Sequence, residues 1–544
     1  MGVACNCDND KKINVTINNK EPEKFLPFSY ENDVHKTYQF LRVLNHGSFG
    51  QVSLYCDKTF KDKKYAVKTI SKINSKKSKL NQILSEINIL SKLDHPNIVK
   101  YFRTLEDSYN CYIIMEYLSG KDLDKIFKED YNKLTLNDIK YILYQVFSAL
   151  CYIHKNNIVH RDIKPANILC IKNNSKFDLK LIDFGLSANL DKLSLEKRAG
   201  SPAYVAPEAI KNCIDTKNDI WACGVILYNY IYGKMPFTAE SKSGLFEKIT
   251  TDDVEYDESL IRPHIPKEAI DLCKKLLEKD YVKRLTAWES LNHNFFKKFQ
   301  IVPGIENEMV DEFFTKKTIE NIRLYVNSNI IKKVFLCYYV LLSSFDEETN
   351  LRQIFLVLQK NMSNNGTLNS KDLYDEFKKK KLLESGDKKL FTLIDNIRLK
   401  NVKTFLQRNN PSSKDVQISM SNKCVSSTHS SKMLVDWGSV SYSVFLCFYF
   451  IDKIFDKEDN FYDAKAEYLF KLMSNDGEYE EEKTEDVENS KLNSYKLLYI
   501  NKTTFKNYLF KHGSPFLEER SEINQFFKEH PNNIDYKEFR SLIE

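Results

Sequence analysis

Short runs rich in β-branched and aromatic residues, separated by polar turns, stand at Tyr38–Val43, Gln51–Tyr55, Lys64–Thr69 and Tyr112–Met115, and each predicts a strand. Leu80–Leu93, Leu136–His154 and Asp219–Tyr232 carry apolar residues at helical spacing and predict helices. A small β-rich part ahead of a larger helical part predicts an α+β unit of two lobes with a cleft between them, over residues 38–296. Residues 1–34 are polar with little periodicity and read as a separate leader. Beyond Gln300 the pattern becomes helices separated by polar loops. There Ile319, Ile322, Val326, Ile330, Val334, Cys337 and Leu341 fall three and four apart. That spacing predicts one apolar stripe on one long helix, Thr318–Ser344, inside a junction segment 304–345. An all-α region follows over 346–544, with stretches 411–432 and 476–489 too polar to pack and read as inserts.

Composition narrows the classes. The 544 residues suggest roughly two to four domains. The longest apolar runs, such as Val334–Leu342, are about half of the ~18–20 residues that a membrane span needs, and no secretory apolar segment follows Met1. Lys and Arg number 81 against 75 Asp and Glu, a net charge of +6. That near balance argues against nucleic acid as a partner. The 12 Cys include no CxxC pair, so neither a zinc site nor a disulfide framework is indicated and a reducing cytosol is the expected location.

The chemistry lies in the first three hundred residues. Asn45-His46-Gly47-Ser48-Phe49-Gly50-Gln51-Val52 joins two predicted strands. Glycine there lets backbone N–H groups approach phosphate oxygens, although a plain hairpin has the same composition. Lys68, in Tyr65-Ala66-Val67-Lys68, is costly to bury unless paired, and Glu86 on the next helix is a suitable partner; a surface Lys on an edge strand is the alternative. Then come His160-Arg161-Asp162-Ile163-Lys164-Pro165-Ala166-Asn167, Asp183-Phe184-Gly185 and Ala206-Pro207-Glu208, in that order.

This ordered set resembles the catalytic domain of eukaryotic protein kinases, over about Tyr38–Phe296. The resemblance implies a bilobal kinase fold, Mg²⁺ and ATP as cofactors, and protein Ser/Thr hydroxyls as substrate. It implies that Lys68, held by Glu86, contacts the nucleotide phosphates. Asp183 and Asn167 would ligate Mg²⁺, Asp162 would accept the hydroxyl proton, and Lys164 would neutralise the transferring phosphate. Lys164, two residues after Asp162, is the Ser/Thr-kinase form of this loop. By the same resemblance Leu44, Val52, Ala66 and Leu169 sandwich adenine, Met115 is the gatekeeper and Glu116-Tyr117-Leu118 the hinge; Asn45, Gly47, Ser48, Phe49, Gly50 and Asp122 complete the ATP site. Asp219, Trp221, Gly224 and the Arg284–Glu208 pair take structural roles. Asn45 departs from the expected first glycine, Ala166 from a common acid, and Lys197 stands where relatives carry a phosphorylatable Thr or a fixed acid; Glu196 or a phosphorylated Ser194 can substitute.

His95-Pro96-Asn97-Ile98-Val99, Gly224–Tyr228 and the segment after Phe313 are similar to the calcium-dependent protein kinases. In that family a junction helix occludes the substrate site until four EF-hands bind Ca²⁺. Here Ile354–Leu358 leads into the first loop, and Gly366–Leu368, Val435–Trp437, Tyr499–Asn501 and Ile534–Phe539 match the loop exits. The ligands do not match. The first loop offers Gln359, Asn361, Asn365 and Asp372; Ser439 and Thr504 replace terminal Glu residues, and only the fourth loop keeps one, Glu538. Degenerate EF-hands serving as a helical scaffold are therefore expected, with control through one weak Ca²⁺ site as the alternative and a non-catalytic ATP-binding scaffold as the rival class. Gly2, Cys5 and Cys7 leave the leader open to acylation and membrane association, or to no modification.

Overall fold

The computed structural model describes residues 30–31, 34–47, 50–58, 61–72, 77–173, 176–190, 200–301, 303–304, 306–341, 348–362, 368–384, 386–394, 440–455, 466–467, 469–470, 473, 500, 504–505, 520–531 and 533–543. The inserts 411–432 and 476–489, the early leader with Gly2, Cys5 and Cys7, and residues Ser194, Glu196 and Lys197 lie outside them. Among the described residues no helix is long and apolar enough to cross a membrane.

The small lobe is a six-stranded sheet in the order β1-β5-β6-β4-β3-β2. Its strands are β1 (Tyr30–Glu31), β2 (Tyr38–Gly47), β3 (Gly50–Asp57), β4 (Lys64–Ser71), β5 (Tyr101–Glu106) and β6 (Asn110–Glu116). Neighbours from β5 to β2 run antiparallel, while β1 pairs with β5 in parallel. One face of the sheet buries Tyr38, Tyr55, Tyr65, Val67, Leu105, Tyr112 and Ile114 together with Val34. Ahead of Tyr38, Tyr30–Glu31 adds an edge strand to the sheet and Val34 is fully buried. A two-residue edge strand has no periodicity to read, so the polar run before Val34 conceals it.

Helix α1 (Lys77–Leu90) packs beside this sheet, and the large lobe follows. Its central helices are α2 (Leu136–Lys155) and α3 (Lys217–Tyr232). Thr135 and Asp138 close a capping box on α2, and Gly233, with φ +68°, ends α3 in the left-handed conformation. The Arg284 guanidinium grips the Glu208 carboxylate at 2.6 and 2.9 Å and lies 5.1 Å over the Trp221 ring. Short strands β7 (Lys121–Asp122), β8 (Ile158–Val159), β9 (Ile168–Asn173), β10 (Lys176–Leu181) and β11 (Ala188–Asn189) form two small sheets at the cleft, in the orders β10-β9-β7 and β11-β8.

The C-terminal region is helical, and its core is continuous with that of the large lobe. It contains α4 (Glu306–Phe313), α5 (Lys316–Asn327), α6 (Ile330–Leu341), α7 (Thr349–Met362), α8 (Ser370–Lys379), α9 (Asp387–Ile394), α10 (Tyr442–Phe455), α11 (Arg520–Glu529) and α12 (Tyr536–Ile543). The expected single helix Thr318–Ser344 is instead two, α5 and α6, and residues 342–347 lie outside the described residues. Local hydrogen bonding explains the break. Ser328 is extended at φ −66°, ψ 149°, and its hydroxyl returns to the Leu324 carbonyl at 2.6 Å. The Asn329 side chain accepts from the Lys332 N–H at 2.8 Å, capping α6, while its amide donates to the Leu542 carbonyl at 2.9 Å. Ile319, Ile322, Val326, Ile330, Val334 and Cys337 of the apolar stripe are buried, but their principal partner is α10, not the groove of the large lobe.

Helix α7 and its neighbours meet the large lobe through buried polar contacts. Neutral His95 accepts from the Asn97 N–H at Nδ1 (3.1 Å), so its Nε2–H donates to Ser148 Oγ (3.2 Å), and that hydroxyl donates to Gln359 Oε1 (2.6 Å). Asp94 accepts from the N–H and hydroxyl of Ser443 at 2.9 and 3.0 Å, and Asp178 lies 3.4 Å from Arg352. Burial, with Lys180 adding to it, pushes the His95 imidazole down to about 3. Between that value and the ordinary 6.5 the unfolded chain binds a proton that the native chain excludes. Stability is therefore expected to fall as pH drops below 6.5, by up to about 1.4 kcal/mol per pH unit from this group. Urea unfolding of wild type and His95→Gln across this range measures it; equal slopes for the two proteins would contradict the assignment.

Candidate active site

Strand β4 sits inside the sheet, with Lys68 opposite Val52 on β3 and Ile113 on β6. Its ammonium is carried into the cleft between lobes, 2.6 Å from Glu86 on α1 and 3.0 Å from Asp183. Burial opposes that charge, but Glu86 and Asp183 outweigh it and raise the Lys68 pKa. Burial likewise pushes the Glu86 carboxyl up against the pull of Lys68. The two shifts disagree about ionisation, and the 2.6 Å contact to an ammonium that also faces Asp183 favours the ionised pair. At Asp183, burial is outweighed by Lys68, which holds the carboxyl below its ordinary value. Asp183 is left-handed at φ +62°, an unfavourable backbone for a non-glycine residue. Phe184 beside it is wholly buried, its ring 4.7 Å from that of His160.

Residues 160–167 cross from β8 to β9 in a loop fixed from below. The Asp219 carboxylate, at the start of α3, accepts from the N–H of His160 at 2.9 Å and of Arg161 at 2.8 Å. Arg161 is also left-handed, at φ +67°. This holds Asp162, which is bonded by Lys164 Nζ at 2.7 Å and by the Asn167 amide at 2.9 Å. A further partner belongs to none of the sequence motifs: Ser201 gives its N–H (3.1 Å) and hydroxyl (3.0 Å) to Asp162 Oδ1 and accepts from Lys164 at 2.8 Å. The available signal was Gly200. Its φ is +108°, and a Cβ there would stand only 2.6 Å from the Arg161 carbonyl oxygen, so this position accepts little but glycine.

The cleft wall is apolar. Leu44, Val52, Ala66, Met115 and Leu169 are each half-buried, as residues lining an open groove are, while Leu118 is buried. Gly47 pairs with Gly50 at the β2–β3 end, and a Cβ on Gly50 would fall 2.2 Å from the Thr69 carbonyl oxygen. The Asn45 side chain accepts from the His46 N–H at 2.8 Å; Ser48 and Phe49 lie outside the described residues. Asp122 caps the helix Leu123–Glu129, accepting from the Lys125 N–H at 2.8 Å. The Glu116 carboxylate turns to Lys180, 2.7 Å away.

The residues at the candidate Ca²⁺-ligand positions have other partners. Gln359 lies within α7 and bonds Ser148. Asp372 forms a capping box with Asn369 on α8, and burial pushes its carboxyl up to about 6. Glu538 lies 3.4 Å from His530. Asn365, Ser439 and the expected exit Val435–Trp437 lie outside the described residues; Val440 is the residue that bonds the Leu368 carbonyl, at 2.8 Å. Two of the matched loop exits meet, Ile500 and Ile534 exchanging hydrogen bonds of 2.8 and 2.9 Å.

Comparison with known proteins follows this division. Residues 38–296 match the family model described as "Protein kinase domain". Calcium-dependent protein kinase 4 of Plasmodium berghei and that of Plasmodium falciparum are each 32% identical over 358 residues, 65% of this chain and 66% of the relative. Calcium-dependent protein kinase 3 of Plasmodium berghei is 34% identical over 329 residues, 60% of this chain and 57% of the relative. The chain thus spans just under two thirds of the first relatives' length.

Gly200→Ala tests the geometry around Asp162. The added Cβ must displace the Arg161 carbonyl or Ser201, so phosphoryl transfer is expected to fall about ten- to a hundredfold. Nucleotide affinity, set on the opposite wall, should stay within about threefold. Unchanged turnover would show that Ser201 does not position Asp162.

Proposed function

Residues 38–296 are a protein kinase domain, and from that premise we propose that the chain transfers the γ-phosphoryl group of ATP to Ser and Thr hydroxyls of proteins. The observation that carries the reading is one arrangement: Lys68, Glu86 and Asp183 in contact on one side of the cleft, and Asp162 gripped by Lys164, Asn167 and Ser201 on the other. The residues fit the cofactor. Asp183 presents a part-exposed carboxylate, and Asn167, whose amide N–H groups go to Asp162, keeps its carbonyl oxygen for a cation; Mg²⁺ prefers such hard donors. When bound, Mg²⁺·ATP supplies the phosphoryl group and neutralises charge on its oxygens. Lys68 would hold phosphate oxygens, Asp162 would orient the substrate hydroxyl and take its proton, and Lys164, already between Asp162 and Ser201, would meet the charge developing on the transferred group. Ser/Thr selection rests on Lys164, two residues after Asp162.

Asp183→Asn is isosteric and is expected to remove nearly all activity while shifting the melting temperature little. Equal phosphorylation by the two proteins in a radiometric assay would sink the enzyme reading.

We further propose that the C-terminal helices regulate or brace the domain without a high-affinity Ca²⁺ site. Gln359 and Asp372 are committed to a domain contact and a helix cap, and carboxylate number sets affinity in such loops. Calorimetry on the full chain is expected to show no saturable Ca²⁺ binding at micromolar concentration. A stoichiometric micromolar site, with activity rising over the same range, would restore conventional calcium activation.

A further inference from the structure

Two ion pairs, Lys180–Glu116 and Lys100–Glu348, joined through the Lys100 backbone, run from the hinge to the C-terminal helices. Lys180 Nζ lies 2.7 Å from Glu116 Oε1, and the same oxygen accepts from the Lys100 backbone N–H at 2.6 Å. The Lys100 ammonium reaches Glu348 Oε1, and Glu348 Oε2 accepts from the Tyr442 hydroxyl at 3.2 Å. Their side-chain exposures are 0% for Lys180, 10% for Glu116, 11% for Lys100 and 1% for Glu348. Three of the four belong to the kinase domain; the fourth, just ahead of α7, does not. With the C-terminal helices docked the Lys100 ammonium is nearly buried and meets the Glu348 carboxylate, so without that carboxylate it would be an uncompensated cation in a poorly solvated site, a costly arrangement. Burial lowers the Lys180 pKa; Glu116 raises it, Lys100 lowers it further and Glu348 raises it, as this balance requires. Glu116 is held to Lys100 at both ends, since its N–H donates to the Lys100 carbonyl at 3.0 Å. A shift of Lys100 would thus move the backbone of Glu116-Tyr117-Leu118 against the groove formed by Leu44, Ala66 and Leu169.

We propose that Glu348 is a positioning residue for the nucleotide site: by completing the charge balance at Lys100 it holds the hinge in its binding geometry. Docking of the C-terminal helices and binding of nucleotide then strengthen each other, because linkage is reciprocal. The inference rests on the proposed nucleotide site and adds to it a contributor from outside the kinase domain. No change of fold is needed, only a change in the charge facing Lys100.

The test uses the full chain with Mg²⁺·ADP as probe, titrated calorimetrically into wild type, Glu348→Gln, Lys100→Gln and the double variant. Glu348→Gln keeps shape and is expected to weaken binding about tenfold, a coupling usual for charges in contact. Adding Lys100→Gln removes the uncompensated cation and should return affinity to within about threefold of wild type. In steady state, Glu348→Gln should raise KM for ATP with kcat little altered, whereas a merely structural role would lower the active fraction and hence kcat. Wild-type affinity in Glu348→Gln, or a double variant weaker than the single, would overturn the inference. Should Glu348→Gln fail to fold, the double variant decides: near-wild-type binding supports charge balance, and loss of binding refutes it. If wild type itself does not bind Mg²⁺·ADP, the nucleotide reading falls and this inference with it; wild-type binding with an unaffected Glu348→Gln removes the inference alone.

Discussion

A buried ammonium between two carboxylates sets the relation of the lobes. Lys68 comes from the sheet, Glu86 from the helix beside it, and Asp183 from the segment after β10 in the large lobe. Burying Lys68 and Glu86 is tolerable only when they meet at hydrogen-bond distance, with the part-exposed Asp183 as the third partner. Any rotation of α1 or slide of the sheet would leave one of them unpaired in a poorly solvated cleft. The left-handed backbone at Asp183 and the wholly buried Phe184 next to it are the local cost of presenting that carboxylate at the contact.

The second anchor is Asp219, whose single carboxylate takes two backbone N–H groups of the loop that carries Asp162. Around Asp162 the partners come from three chain segments, at 162–167, Ser201 and, through the loop, α3. Positioning of this kind is what the proposed phosphoryl transfer would demand, since that reaction offers little covalent chemistry for side chains to perform.

The C-terminal helices share this logic of satisfied polar contacts. Asp94 with Ser443, Ser148 with Gln359 and Lys100 with Glu348 join them to the large lobe and to the residues behind the hinge. Gln359, at the candidate first-loop position, is committed to the Ser148 hydroxyl. Aromatic packing of Phe355 against His95, Tyr442 and Phe445 closes the same interface.

The motifs that meet at the candidate site were legible because they are local: His160 to Asn167, Asp183-Phe184-Gly185 and Lys68 each stand in a few adjacent residues, and their order along the chain implies the fold. The apolar stripe of 319–337 was legible for the same reason, as period alone fixes which residues are buried. What period could not supply was the end of α5, where the side chains of Ser328 and Asn329 hydrogen-bond backbone groups that a continuous helix would use, and the choice of α10 as the stripe's partner. Ser201 and Glu348 were hidden in sequence, 39 residues from Asp162 in one case and 248 from Lys100 in the other. The sequence determined which groups are costly to bury; only the tertiary structure decided which distant group would compensate each, because that choice depends on which segments the packing brings within hydrogen-bond reach.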